Sequence, residues 1–204
     1  MPHLLELFCG TKSIGKVFEA AGWRVTSVDL NAKCDPTICC DALGLRPEQI
    51  EGKVDIVWAS PPGTQFSKAR TTAKTPRDLE FADSLVRVGI RMAKHFDAPL
   101  FMENPQSMLE HREVVADLRM ELLDYCQYPE GWPKYYRKRT MIFCSGHDWK
   151  PAQPLCKKDC RGCLDGKRHI EAAQRGGTRG SSGNRLDELY AIPPALAREI
   201  LALC

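Results

Sequence analysis

The chain has 204 residues, 43% of them hydrophobic and 27% charged, with a formal net charge of +3. That length suits one domain with a small appendage, the composition is that of an ordinary globular protein, and no apolar run reaches the roughly 20 residues of a membrane span. The opening MPHLLELF lacks a basic region and a cleavage pattern, so an intracellular rather than secreted protein with no membrane partner is expected.

In chain order, HLLELF reads as a strand that ends at Cys9-Gly10. SIGKVFEAAG places Ile14, Val17, Phe18 and Ala21 at helical spacing, with Ser13 as cap and Gly22 as stop. WRVTSVDL is a second strand ending at Asp29, and VDIVWAS a third from Val54 to Ser60, with Asp41 in a turn-rich segment between them. A helix follows from Pro76 through PRDLEFADSLVRVGIRMAKHF, then a strand, PLFMEN, ending at Glu103-Asn104-Pro105. MLEHREVVADLRMEL reads as helical, and LLDYCQY and RTMIFCS as a strand pair. The end, LYAIPPALAREILALC, is a Pro-started helix with Leu196, Ile200 and Leu203 inward.

Alternating strands and helices predict an α/β fold, a mostly parallel Rossmann-like sheet with helices on both faces. Ligands of such sheets bind beyond the carboxyl ends of the strands. Gly10, Asp29, Asp41, the Ser60–Ser67 loop and Glu103 all fall there. Residues 145–185 change character: they are rich in Cys, Lys, Arg and Gly, lack apolar periodicity and contain RGGTRGSSGNR, a flexible-looking segment. The expected division is a main domain over 1–144, a small insert over 145–185, and a closing helix over 186–204.

Basic residues gather in the last third: Lys134, Arg137, Lys138, Arg139, Lys157, Lys158, Arg161, Lys167, Arg168, Arg175, Arg179 and Arg185. Such a surface suits a phosphate backbone, and a solvated face is the plain alternative. A loop from Gln65 to Thr75, with Lys68, Arg70 and Lys74, suits phosphate contacts in the same way, or is a surface loop.

LELFCGTKSIG sets Gly10 and Gly15 around the first strand-to-helix turn, where backbone approaches a ligand closely and a helix N-terminus offers free N–H groups. It is neither GxGxxG nor a complete phosphate loop, since Val17 stands where a hydroxyl is needed. Asp29, about 20 positions on, is placed to accept hydrogen bonds from a ribose diol. A nucleoside-containing cofactor fits these features, and so does a simple glycine turn.

Taken together, the pieces resemble the cytosine-5 DNA methyltransferase family, in its compact phage- and virus-type form. LELFCGTKSIGKVF looks like the first S-adenosylmethionine motif and SVDLN like the ribose-binding strand end. ASPPGTQFS resembles the catalytic Pro-Cys loop, MENPQS the Glu-Asn-Val motif, YYRKRTMIF the Gln-Arg-x-Arg motif, and LYAIPPALAREI the closing motif. The likeness implies a methyltransferase fold, S-adenosylmethionine as cofactor, and DNA as partner with an extruded cytosine as target, RNA staying open as a substrate and the chain acting as a monomer. It further implies that Phe8, Gly10, Ser13 and Gly15 form the cofactor turn and that Asp29 holds the ribose. Leu30 and Asp41 would meet the adenine, and Ser60 and Pro62 would border the methionine part. Lys12-Ser13 replaces the family's glycine pair, and Pro105 stands where Val is usual.

In that likeness Gly63 falls where the cysteine nucleophile belongs. A thiolate adding to C6 turns the ring enamine-like and drives C5 onto the methyl donor. Glu103 would hold the base edge at N3 and N4, Arg139 would orient the base and support that carboxylate, Arg137 stands beside it, and Gln65 completes the set. Without sulfur, binding is expected to persist while methyl transfer slows by several orders of magnitude. Two explanations compete: a cysteine replaced for structural work, favoured by the retained Gln65, Glu103 and Arg139, or a native glycine in a non-catalytic DNA-binding or regulatory relative. An amino-methyltransferase acting on adenine N6 or cytosine N4 also carries a Pro-Pro loop, but needs an aromatic residue at the position of Gly63.

Ten cysteines in a reducing compartment favour metal binding or packing over disulfides. Cys156, Cys160, Cys163 and His169 have a spacing that closes around one Zn2+, with Cys144 and His147 as alternative ligands, or else they are free thiols in a small insert. Cys34, Cys39 and Cys40 read as packing residues.

Overall fold

The structure, a computed structural model, describes every residue except 69, 71, 72, 164 and 175–182. Arg175 and Arg179 of the basic group, and most of RGGTRGSSGNR, lie outside the described residues. Seven strands form one sheet: β1 (His3–Leu7), β2 (Arg24–Asp29), β3 (Ile38–Cys39), β4 (Ile56–Ala59), β5 (Leu100–Pro105), β6 (Arg119–Asp124) and β7 (Arg139–Ser145). Their spatial order is β3-β2-β1-β4-β5-β7-β6. The first five run parallel, while β7 lies antiparallel to both β5 and β6. β1 and β4 are buried along their whole length, as parallel strands covered on both faces must be.

Among the described residues there are four α-helices: α1 (Ser13–Ala20), α2 (Leu79–Phe96), α3 (Leu186–Tyr190) and α4 (Pro194–Leu201). α2 buries Val86, Val88, Met92 and Ala93 against Leu5, Val57 and Met102 on one face. On the other face Ile14, Phe18, Leu196 and Ile200 pack with Leu4, Trp58 and Phe101. Period-two strands therefore feed two cores, one on each side of the sheet.

Two local expectations change. Ser13 is not the cap of α1: the capping position is Lys12, in left-handed backbone and without a side-chain cap bond. The helix expected over MLEHREVVADLRMEL is replaced by short 3-10 turns at Met108–His111 and Glu113–Val115, followed by β6. There the backbone of Arg119–Asp124 pairs residue for residue with β7, and a strand ladder outweighs local helical propensity. Among the described residues no helix is long and apolar enough to cross a membrane.

Candidate active site

The carboxyl ends of β1, β2, β4 and β5 open on one cleft of about 680 Å³. Phe8, Gly10 and Ser13 line it from the first turn, Asp29, Leu30 and Asp41 from the β2 side, and Ser60, Pro62, Gly63 and Glu103 from the ends of β4 and β5. Four residues expected in the site are not among its walls: Gly15, Gln65, Arg137 and Arg139.

The first turn is tight. Phe8, Gly10 and Lys12 all adopt positive φ, so the chain reverses within five residues and turns backbone toward the cleft. Asp29 locks this turn: its carboxylate accepts the Gly10 N–H at 3.0 Å and the Asn31 N–H at 2.8 Å. Asp41 is likewise held, accepting the Leu43 N–H at 3.0 Å. The Ser13 hydroxyl accepts the Ile192 N–H at 3.1 Å, which ties the C-terminal segment to the first-turn side of the cleft. Leu30, Phe81, Leu186 and Tyr190 are exposed large apolar side chains, and all four line this cleft. Apolar surface gathered around a few fixed polar groups is the make-up of a small-molecule site.

Gly15 serves the turn from behind. A Cβ there would stand 2.5 Å from Glu6 Oε2, so only glycine lets α1 settle over that carboxyl group. Glu6 is buried at the end of β1, and its Oε2 has no hydrogen-bond partner. Burial pushes its pKa up to about 7, against weaker pulls from the Gly15 and Ile14 N–H groups.

At the ends of β4 and β5, Asn104 lies fully buried beneath the Pro-Pro loop, and its amide donates to the Pro61 carbonyl at 2.9 Å. Gly63 rests against the same carboxamide. Glu103, only 6% exposed, accepts from the Tyr125 hydroxyl at 2.9 Å and from Lys138 Nζ at 3.3 Å. Lys138 also donates to the Leu189 carbonyl at 3.1 Å and lies over the Tyr125 ring. Burial, and then the Glu103 charge, raises the Tyr125 pKa well above the usual phenol value, so this hydroxyl stays a donor.

The expected Glu103–Arg139 partnership is absent; Arg139 instead forms a two-bond pair with the buried Asp124, at 3.1 and 2.8 Å. Strand parity explains this. Glu103 stands opposite Ile142 and Asp124 opposite Arg139, and residues an odd number apart on β7 point to opposite faces. Lys138 is on the Glu103 side, and Arg137 follows Arg139 toward Asp124, with Nε 4.0 Å from its carboxylate. Gln65 is drawn off to the start of α2, where its side-chain oxygen accepts the Asp78 N–H at 3.1 Å. Lys138 and Glu6 also line the cleft and Tyr125 supports Glu103 from the core, and only strand parity, once the ladder is known, brings Lys138 to Glu103.

The thiols of the cleft are poor substitutes for a nucleophile at position 63. Cys9 is buried and its pKa is pushed up to about 12, chiefly by that burial, while Cys34 is shifted upward for the same first reason. Away from the cleft, Cys156, Cys160 and His169 come together with Cys126, and Cys163 stands outside the group. Cys144, on β7, is buried in the core, and Cys39 is exposed rather than packed.

The sheet order, with one antiparallel strand inserted beside the edge and a cleft at the strand ends, defines the class: this is an S-adenosylmethionine-dependent methyltransferase fold. It is shared with the Dnmt2 methyltransferase of S. pombe at a TM-score of 0.51 and 14% identity, over 78% of this chain and 57% of that one. It is shared likewise with the methyltransferase EhMeth of Entamoeba histolytica at a TM-score of 0.53 and 13% identity, over 76% of this chain and 56% of that one. The chain thus spans about half the length of these solved structures. No protein-family model matches it. Among curated proteins it is 31% identical over 225 residues to the "Probable DNA (cytosine-5)-methyltransferase" of Frog virus 3 (isolate Goorha), covering 99% of this chain and 100% of that protein. The chain belongs to the DNA (cytosine-5)-methyltransferase family.

Proposed function

We propose that the cleft takes S-adenosylmethionine together with a cytosine extruded from DNA, inside the cell, and that Gly63 holds methyl transfer back. The observation that carries this reading is the joint lining of one cleft by the Asp29 turn, Gly63 and the buried Glu103. The residues present fit the cofactor: Asp29 keeps free lone pairs for a ribose diol after its two backbone bonds, and exposed Leu30 offers an apolar face to an adenine. Phe8, Gly10, Ser13, Asp41, Ser60 and Pro62 would complete its walls. When bound, that cofactor supplies an electrophilic methyl group.

The chain's own part is to hold the base. Glu103 has one oxygen fixed by Tyr125 and Lys138, which orients the carboxyl group and leaves its other oxygen for the base edge. Lys138 would also compensate charge as it develops on the ring. Arg139, paired with Asp124, would steady the strand end that carries Lys138. The 145–185 insert, basic and beside the cleft, would follow the phosphate backbone. Gly63 brings no atom to C6, so C5 remains a weak nucleophile.

The test is to measure S-adenosylmethionine binding by calorimetry, and transfer of labelled methyl to cytosine-containing DNA, cytosine-free DNA and RNA. The chain should bind the cofactor, and Gly63→Cys should methylate cytosine-containing DNA at least roughly 1,000-fold faster than the parent. Equal rates in the two proteins, or methyl groups on exocyclic nitrogen, would overturn the reading. Methylation of RNA alone would reassign the substrate.

A further inference from the structure

We propose that Cys126, Cys156, Cys160 and His169 form a structural zinc site that clamps the 145–185 insert to the end of β6. Cys126 replaces Cys163 in the ligand set expected from spacing. The site stands independently of any reaction in the cleft.

The four candidate ligand atoms converge. The three sulfurs and the His169 nitrogen all lie within 4.8 Å of one another. His169 Nε2 stands 3.6 Å from Cys156 Sγ and 3.2 Å from Cys160 Sγ. With Zn–S near 2.3 Å and Zn–N near 2.0–2.1 Å, a tetrahedral ion has S···N edges of about 3.6 Å and S···S edges of about 3.8 Å. The two His169 S···N distances are within about 0.4 Å of that edge, and the remaining pairs lie within 4.8 Å. Three thiols and an imidazole select a soft, four-coordinate divalent ion, and zinc is the common one.

The insert also needs such a centre. Among the described residues from Lys150 to Gln174, the only buried apolar side chains are those of Cys156 and Cys163. A segment this polar cannot fold by burial alone, and a metal supplies the missing free energy. Its backbone is arranged around the ligands. The Lys158 N–H donates to Cys156 Sγ at 3.3 Å from a left-handed residue, the outer-shell support that metal thiolates receive. Gly162 threads between the Tyr135 carbonyl and the His169 ring, where a Cβ would come within 2.5 Å of the carbonyl oxygen. Cys163 is left out because its thiol does not converge with the other four ligand atoms; its backbone N–H donates to the Cys160 carbonyl at 3.0 Å.

Cys126 makes the site a clamp rather than a local knot. It belongs to the 3-10 turn Tyr125–Gln127 directly after β6, two residues beyond Asp124. Asp124 accepts the Cys156 N–H at 3.0 Å and carries the Arg139 pair on the same carboxylate. The metal would thus pin both sides of the carboxylate that holds Arg139.

The experiment uses the full chain, purified without chelator, with zinc counted by mass spectrometry of the elements. About one zinc per chain is expected in the parent and in Cys163→Ser, and a loss of most of it in Cys126→Ser. Co2+ added to metal-stripped parent should give the intense visible bands of tetrahedral thiolate coordination, again kept in Cys163→Ser. Should Cys126→Ser fail to fold, alkylation of the parent decides. Zinc should protect Cys126, Cys156 and Cys160, and a chelator should expose them. A parent that carries no zinc and gives no tetrahedral cobalt spectrum, a disulfide among these thiols, or a site that survives Cys126→Ser and is lost in Cys163→Ser would overturn the proposal.

Discussion

At position 63 the backbone adopts no left-handed conformation, so glycine is not demanded by φ. What stands in the way of a side chain is the Asn104 carboxamide: a Cβ on residue 63 would sit 2.8 Å from Asn104 Oδ1. A cysteine there requires that amide to yield by a few tenths of an ångström while keeping its bond to Pro61. Glu6 offers a second test at the same scale. Its folded pKa of about 7 lies above the ordinary 4.5, so the folded state binds the extra proton more tightly. The stability this proton confers is complete below about pH 4.5 and is lost as pH rises through about 7, by something on the order of 3 kcal/mol. Urea unfolding of the cofactor-free chain at pH 5 and pH 8 should show the parent losing more stability than Glu6→Gln; equal losses would mean that Glu6 does not titrate in this range. Asp29, Gly63 and Glu103 could be placed from their motifs: Asp29 ends β2, Gly63 lies in the loop after β4, and Glu103 lies near the end of β5. The partner of Glu103 was not. Arg137, Lys138 and Arg139 are three adjacent cations, and only the ladder decides which of them shares the carboxylate's face.

Among the elements, α2 ties the Pro-Pro loop to the core. Its cap, Asp78, accepts the Phe81 N–H at 2.9 Å, and Phe81 lines the cleft one turn in. Gln65 and Arg77 bind the loop to the same helix end, the Arg77 guanidinium donating to the carbonyls of Gln65 at 2.6 Å and Ser67 at 2.9 Å. Asp78→Ala should cost about 1 kcal/mol in denaturant unfolding, the usual value of such a cap; an unchanged midpoint would mean that the cap contributes nothing. β1, β2, β4, β5 and α2 could be read from the sequence, since their apolar periods are long and punctuated by glycine, proline and acid residues. The segment from Met108 to Leu122 could not. Its apolar spacing is helical, but pairing with β7 gains a full strand ladder that no local pattern reveals. Cys126 was missed for a related reason: it is 30 residues before Cys156 in the chain and joins the group only through the turn after β6.

Across the whole molecule, one cleft spans the two halves of the expected chemistry. The first turn and the β2 end line one side, the ends of β4 and β5 the other, and the C-terminal segment closes the wall through Leu186, Leu189 and Ile192. The full-length match to the viral relative places the chain in its family, and the proposed function has its test at position 63. The direct measurement is covalent trapping on DNA containing 5-fluorocytosine, with S-adenosylmethionine present and the adduct followed by denaturing electrophoresis and mass spectrometry. Fluorine at C5 blocks the elimination that would free a sulfur nucleophile from C6, so an adduct persists wherever a thiolate lies beneath the base. Gly63→Cys should form a stable adduct linked through residue 63, and the parent should form none. An adduct in the parent, or none in a Gly63→Cys protein that binds both cofactor and DNA, would contradict the account.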